Sequence, residues 1–269
     1  MDYLYSIILG ATQALTEFLP ISSSGHLVIL HRLIKSDLLD SLTFDVILHA
    51  GTLIATLFYF RRTVGQLIGN FFKTIFSFKI THNFNEQLPW LLIIGAIPAA
   101  LVGFFYGDLI EATFRSIGWI AITLTIGSLL FIVYEKTSKQ NRHMDTMNFF
   151  DALVIGTAQI LAFVPGISRS GITIVAGLGL GFKRKEAADF SFLLSLPIVF
   201  GATLQKITQI SWSDLNSNFI FVSLLGLVVS SLLGFVVIKY FIRFLASNSL
   251  TVFAIYRFIL AGALLVFLY

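Results

Sequence analysis

The groups able to do chemistry in this 269-residue chain are few, and they sit inside apolar stretches: Glu17, His26 and Arg169, with Ser22, Ser23, Ser24, Ser168 and Ser170. An ionisable side chain at the centre of a membrane segment costs about 2.5–3.5 kcal/mol on insertion scales, so each asks for a partner or a function. Gln13 and Glu17 are four residues apart and share one helix face just ahead of Pro20. His26 follows the SSSG turn by one residue, and Arg169 lies in the middle of a second Ser-rich turn. Such a set suits an oxyanion. Arg offers a planar, always-charged fork that matches phosphate, and Ser- and Gly-rich turns expose backbone N–H groups at helix starts. For a diphosphate, Glu17 is placed to hold a divalent cation, Mg²⁺ or Ca²⁺, that bridges phosphate oxygens. A serine hydroxyl would attack phosphorus with His26 or Glu17 as general base, and an apolar substrate tail would stay in lipid.

The elements that must position these groups follow from composition. The chain is 57% hydrophobic and 12% charged, with 28 Phe and a mean hydropathy of +0.89; an ordinary soluble domain is about 25% charged. These values exclude a disordered or fibrous chain and point to an all-α polytopic membrane protein. The absence of Cys excludes thiolate metal sites, cysteine nucleophiles and disulfides. Six apolar runs are long enough to cross a hydrocarbon core: Phe44–Phe60, Leu88–Gly107, Ile117–Tyr134, Phe190–Leu204, Phe219–Ile238 and Leu250–Tyr269. Two more stretches, residues 3–30 and 152–182, are interrupted by FLPISSSGH and FVPGISRSG. Irregular backbone at membrane depth survives only where protein or a polar cavity satisfies it. Both are therefore expected to be re-entrant helix–loop–helix hairpins.

The two hairpins are copies. At an offset of 146, Gly10, Gln13, Ile21, Ser22, Ser24, Gly25 and Phe44 match Gly156, Gln159, Ile167, Ser168, Ser170, Gly171 and Phe190. A second echo at offset 131 pairs Gly95, Gly103 and Phe104 with Gly226, Gly234 and Phe235. The expected organisation is one integral membrane domain made of two repeats, 1–151 and 152–269, each a hairpin plus three crossings. Three crossings invert the second repeat. Loops 61–87, 135–151, 183–189 and 239–249 hold 12 Lys/Arg, and the opposite loops hold four, Arg32, Lys35, Arg115 and Lys206. This positive-inside bias places both termini outside and lets the hairpin tips meet near the midplane.

QALTEFLPISSSGH (13–26) and PGISRSGIT (165–173) resemble the two signature regions of the bacterial undecaprenyl-diphosphatase (bacitracin-resistance) family, and FDVILHAGT (44–52) extends the resemblance over nearly the whole chain. The resemblance implies hydrolysis of undecaprenyl diphosphate to undecaprenyl phosphate, the carrier lipid of cell-wall synthesis, and bacitracin resistance. It also implies a divalent cation and an active site facing outward in the bacterial cytoplasmic membrane. Carried over, it makes Glu17 the essential acid and a metal ligand, His26 a catalytic acid or base, Ser23 the nucleophile or a phosphate ligand, and Arg169 the phosphate clamp. Gln13, Ser22, Ser24, Gly25, Ser168, Ser170 and Gly171 complete the phosphate-binding set. Gln13 stands where many members carry a second acid, so any cation has one carboxylate fewer.

The remaining polar residues have plainer readings. His49 is read as a packing or supporting residue, Asp45 as a helix cap or support, and Arg257 as snorkelling or pairing with a carbonyl. Thr12 and Thr16 are packing residues, and Lys183–Lys185 are a topology signal. Expected partners are a polyprenyl diphosphate lipid and membrane lipid, with no nucleic acid; a homodimer is left open. Inverted repeats with broken helices are also transporter architecture, so a polyprenyl-phosphate flippase is the alternative.

Overall fold

The computed structural model describes residues 1–34, 36, 39, 42–77, 82–208 and 217–267. Lys35, Lys79 and the end of the Leu250–Tyr269 run lie outside the described residues. The described chain is all helical: α1 Asp2–Phe18, α2 Ser23–Leu33, α3 Leu42–Tyr59, α4 Arg61–Ser77, α5 Phe84–Phe114, α6 Ile117–Thr137, α7 Phe149–Ala158, α8 Arg169–Gly179, α9 Arg184–Ile207, α10 Ser217–Leu245 and α11 Thr251–Phe267. Short 3₁₀ turns cover Met144–Thr146 and Gln159–Phe163. Among the described residues there is no strand, only an isolated bridge between Arg142 and Phe182.

Four helices are long and apolar enough to cross a membrane, over Phe84–Gly107, Ile117–Thr137, Arg184–Gln205 and Ser217–Leu245. A fifth is added if α3 and α4, bent by 83° at their junction, form one broken span. Only 28% of the α10 window is buried. Such an apolar surface left uncovered in a folded chain belongs against lipid rather than water. The protein is a multi-pass membrane protein. The basic stretch 61–87, expected to be a loop, contains α4. Val64, Leu67, Ile68, Phe71, Phe72 and Ile75 recur at helical spacing there, and α4 leans on α5 through Trp90 Nε1 to Thr74 Oγ1 (3.0 Å) and Lys73 to Glu86 (2.8 Å).

Both expected helix–loop–helix units form, α1–α2 and α7–α8. Pro20 keeps the residue before it out of the helical region, so α1 ends with Leu19 extended at ψ 136°. In each unit a serine then caps the next helix. Ser22 Oγ accepts the Gly25 N–H at 3.3 Å, and Ser168 Oγ accepts the Gly171 N–H at 3.2 Å. The two caps share an unusual backbone, φ 77° at Ser22 and φ 72° at Ser168. A non-glycine residue held there stores about 1–3 kcal/mol and persists only where its surroundings over-determine it. The copies thus match in strained geometry as well as in sequence.

Packing follows the same exchange. Helix α1 packs on α10 as α7 packs on α5, α3 packs on α10 as α9 packs on α5, and α6 pairs with α11. Four of the glycines found at the two offsets, Gly10, Gly95, Gly156 and Gly226, are the contact points. A Cβ on Gly10 would stand 2.8 Å from the Gly226 carbonyl oxygen, and one on Gly156 would strike the Gly95 carbonyl. Small residues let membrane helices approach this closely, where packing rather than hydrophobicity drives association.

Candidate active site

The two broken loops touch. Gly166 N–H donates to Ser22 Oγ (3.1 Å), and Ser170 Oγ donates to the Glu17 carbonyl (3.1 Å). Gly166 has φ 99°, and a Cβ there would run into the Thr123 side chain, so the crossing needs glycine.

Glu17, in the last turn of α1 and 8% exposed, is the centre of the cluster. Its Oε1 accepts from Arg169 Nη2 at 2.6 Å. Its Oε2 accepts from Ser23 Oγ at 2.7 Å and from Gln13 Nε2 at 3.2 Å. Ser23 and Arg169 occupy equivalent positions of the two copies, 146 residues apart and each the first residue of its helix. Matching positions of the two broken loops thus present a hydroxyl and a guanidinium to the two oxygens of one carboxylate. Glu17 itself has Phe163 as its counterpart, so the second copy carries no such acid. Breaking a buried pair of this kind by removing one member costs about 3–5 kcal/mol, because the other charge is left alone.

The remaining expected phosphate ligands divide into two groups. Ser22, Gly25, Ser168 and Gly171 are engaged with one another in the caps and in the loop contact, so their polar atoms first of all build the loops. Ser170 is buried on the Glu17 carbonyl. Ser24 is exposed, its hydroxyl 3.3 Å from that of Ser22.

His26 is not brought to the carboxylate. Its Nδ1 lies 2.7 Å from the Ser22 carbonyl and its Nε2 2.7 Å from the Tyr256 hydroxyl. A carbonyl only accepts, so in the neutral ring Nδ1 carries the proton and Nε2 accepts from Tyr256. The rings stack 5.8 Å apart.

His49 stands closer to the chemistry than sequence reasoning placed it, with Nε2 3.7 Å from Glu17 Oε2. Its Nδ1 donates to the Asp45 carbonyl at 2.8 Å, while the Asp45 carboxylate receives His31 Nε2 at 2.9 Å. The Asp45 side chain thus ties α3 to α2, and only its backbone carbonyl meets His49. No signal in FDVILHAGT distinguished a histidine facing Glu17 from one facing a neighbouring helix. Arg257 pairs with carbonyls, one of its two expected readings, and does not snorkel: it is fully buried, and the carbonyls belong to both loops.

A divalent cation fits these residues. Among the described residues no group of three or more His, Asp or Glu side chains gathers to form a complete cage. Gln13 Oε1, however, is a buried acceptor with no hydrogen-bond partner among the described residues, on the same helix face as Glu17. Mg²⁺ is commonly held by one or two carboxylates with the rest of its shell from water and phosphate, which matches one acid and an idle carbonyl oxygen.

The model of the family described as "Bacitracin resistance protein BacA" matches residues 6–263. A Rubrobacter xylanophilus protein is 38% identical over 263 residues, 97% of this chain and 97% of its own length. One from Geobacter metallireducens is 40% identical over 270 residues, 100% of this chain and 99% of its own. One from Aliivibrio salmonicida is 40% identical over 269 residues, again 100% and 99%. Each of the three bears the name undecaprenyl-diphosphatase. On a match of this extent, the chain belongs to the bacitracin resistance protein BacA family.

Proposed function

We propose that this protein hydrolyses undecaprenyl diphosphate to undecaprenyl phosphate and inorganic phosphate. The name of its full-length relatives supports the reaction, and one observation supports the site: Ser23 Oγ and Arg169 meet the same carboxylate, Glu17. In this reading Glu17 Oε2 takes the Ser23 proton as Ser23 Oγ attacks the terminal phosphorus. The P–O bond to the bridging oxygen breaks and undecaprenyl phosphate departs. Water then cleaves the phosphoserine: its oxygen joins phosphorus, its proton passes to His26 or to the departing phosphate, and the Ser23 oxygen leaves with the proton that Glu17 holds. Arg169 balances the phosphoryl charge, moving part of its fork from Glu17 to substrate. His26 serves as acid or base in the water step, after its bond to Tyr256 opens.

Glu17, with Gln13 Oε1 and His49 beside it, would hold a Mg²⁺ or Ca²⁺ ion. When bound, the ion neutralises phosphate charge and polarises a phosphoryl oxygen. For topology, the reading is six crossings (α3, α5, α6, α9, α10, α11) and two re-entrant hairpins entering from opposite sides of the cytoplasmic membrane. The termini lie outside and the site opens outward. The 12-to-4 loop charge supports this orientation.

The test is phosphate release from undecaprenyl diphosphate by purified protein in liposomes. Release is expected with Mg²⁺ or Ca²⁺, loss on chelation, and no release from Glu17→Ala or Arg169→Ala. Release indifferent to chelator would remove the cation from the reading. Lipid flux without any phosphate release would replace the hydrolase with a transporter.

A further inference from the structure

Arg257, in the second turn of α11, is 0% exposed, and none of its hydrogen-bond partners is a carboxylate. Its Nη1 donates to the carbonyls of Pro20 (3.1 Å) and Ile167 (2.9 Å), and its Nη2 to that of Gly166 (3.0 Å). Longer bonds of 3.4 Å reach Thr123 and Leu124 on α6, and the Phe131 ring lies 4.9 Å from the guanidinium carbon. Pro20 belongs to the first broken loop, and Gly166 and Ile167 to the second. Pro20 and Gly166 are also repeat counterparts, 146 residues apart. One side chain therefore grips the same point of both copies.

That grip lies next to the strained caps. In a trans peptide the C=O and N–H point in opposite directions. Fixing the Ile167 carbonyl therefore fixes the plane that leads into Ser168, and fixing the Pro20 carbonyl fixes the plane one residue before Ser22. These two serines hold φ 72° and φ 77°, and the residue after each, Arg169 and Ser23, is what reaches Glu17. The carbonyls satisfy the donors of the guanidinium, but they leave its charge uncancelled. A buried cation without an acid is a standing source of positive potential in a low-dielectric site. A phosphate anion is the ligand that potential favours.

We infer that Arg257 is the positioning residue of this site: it locks the broken loops of both repeats into one cradle and adds a second fixed positive charge for the diphosphate. It touches no reacting atom; it acts through the loops it holds and through the field of its charge. The inference rests on the hydrolase reading for its kinetic assay, and the binding arm below separates the two.

The experiment compares wild type with Arg257→Met, Arg257→Lys and Gly127→Ala, all full length in detergent. Gly127→Ala keeps the arginine but displaces it, because a Cβ at residue 127 would run into its Nη2. Hydrolysis of farnesyl diphosphate is measured per monodisperse, folded molecule, and pyrophosphate affinity by calorimetry. Arg257→Met should lower kcat about 100-fold, a loss typical of one preorganised electrostatic contact. Arg257→Lys and Gly127→Ala should lower kcat about 10-fold, an intermediate loss on that scale, since each keeps the charge but loses the two-loop fork. KM should move less than kcat, and pyrophosphate affinity should fall in Arg257→Met. Variants that unfold at lower temperature yet keep wild-type kcat per folded molecule would overturn the inference, as would full kcat in Arg257→Lys. If Arg257→Met does not fold, the Lys and Gly127→Ala variants decide the matter. If wild type itself releases no phosphate, the hydrolase reading fails, and pyrophosphate binding by the same variants decides Arg257 alone.

Discussion

The Glu17 carboxylate collects donors from Arg169, Ser23 and Gln13, and this pairing separates roles that the residue types alone leave open. Sequence reasoning offered either His26 or Glu17 as the base for a serine. Ser23 Oγ is 2.7 Å from Glu17 Oε2, whereas both His26 nitrogens are engaged by Ser22 and Tyr256. A general base must be within hydrogen-bond reach of the proton it takes. Glu17→Gln should therefore lower kcat by about 10²–10⁴, the usual worth of a general base, and His26→Ala should lower it by less. Steady-state phosphate release reads both variants, and a larger loss in His26→Ala would move the base from Glu17 to His26. The cluster was legible at this scale because ionisable residues in apolar segments are so few. His49 was not: a lone histidine on an apolar helix looks the same whether it faces Glu17 or a packing neighbour. Nor did composition foretell that Ser22, Gly25, Ser168 and Gly171 spend their polar atoms on the loops themselves.

Between elements, the structure explains why two different sequence offsets existed. The offset of 146 aligned Gly10 with Gly156, and the offset of 131 aligned Gly95 with Gly226. In space these residues meet crosswise, Gly10 on Gly226 and Gly156 on Gly95. Each match marks one side of a helix contact made twice. Adding a methyl group at either contact pushes a helix off its neighbour's backbone, and overpacking of this kind costs about 1–3 kcal/mol. Gly156→Ala should lower the unfolding temperature more than Gly10→Ala, because its Cβ meets the carbonyl more closely. Gly69→Ala in α4, with nothing within 4 Å of its Cβ, should hold or slightly raise it, as alanine is the better helix former. Thermal unfolding in detergent measures all three, and equal stability of Gly156→Ala and wild type would remove the contact from the account. Helix α4 was the element not foreseen. Its basic residues Arg61, Arg62 and Lys73 argued for a loop, and its apolar residues alternate with polar ones, so no continuous apolar run marks it.

For the whole molecule, orientation decides whether the cradle is open to the outer face, and here charge and helix length can be set against each other. α6 runs 21 residues, Ile117–Thr137, about 31 Å at 1.5 Å per residue, which matches a hydrocarbon core of about 30 Å. Residues just beyond its two ends should then lie on opposite sides of the bilayer. The last turn of α6 and the connection after it carry Lys136, Lys139 and Arg142, whereas the connection before it carries Arg115 alone, so the positive-inside bias puts the later connection in the cytoplasm. The chain has no cysteine, and single substitutions can therefore report sidedness without background. Thr113→Cys and Lys139→Cys both replace exposed residues outside the Glu17 cluster. In intact cells a membrane-impermeant maleimide should label the Thr113→Cys protein, and the Lys139→Cys protein only after permeabilisation. The reverse pattern would turn the molecule over and open the first hairpin to the cytoplasm. Labelling of both from one side would mean that α6 does not cross, and the inverted repeat would fall with it, since an odd number of crossings per copy is what sends the two hairpins to opposite faces.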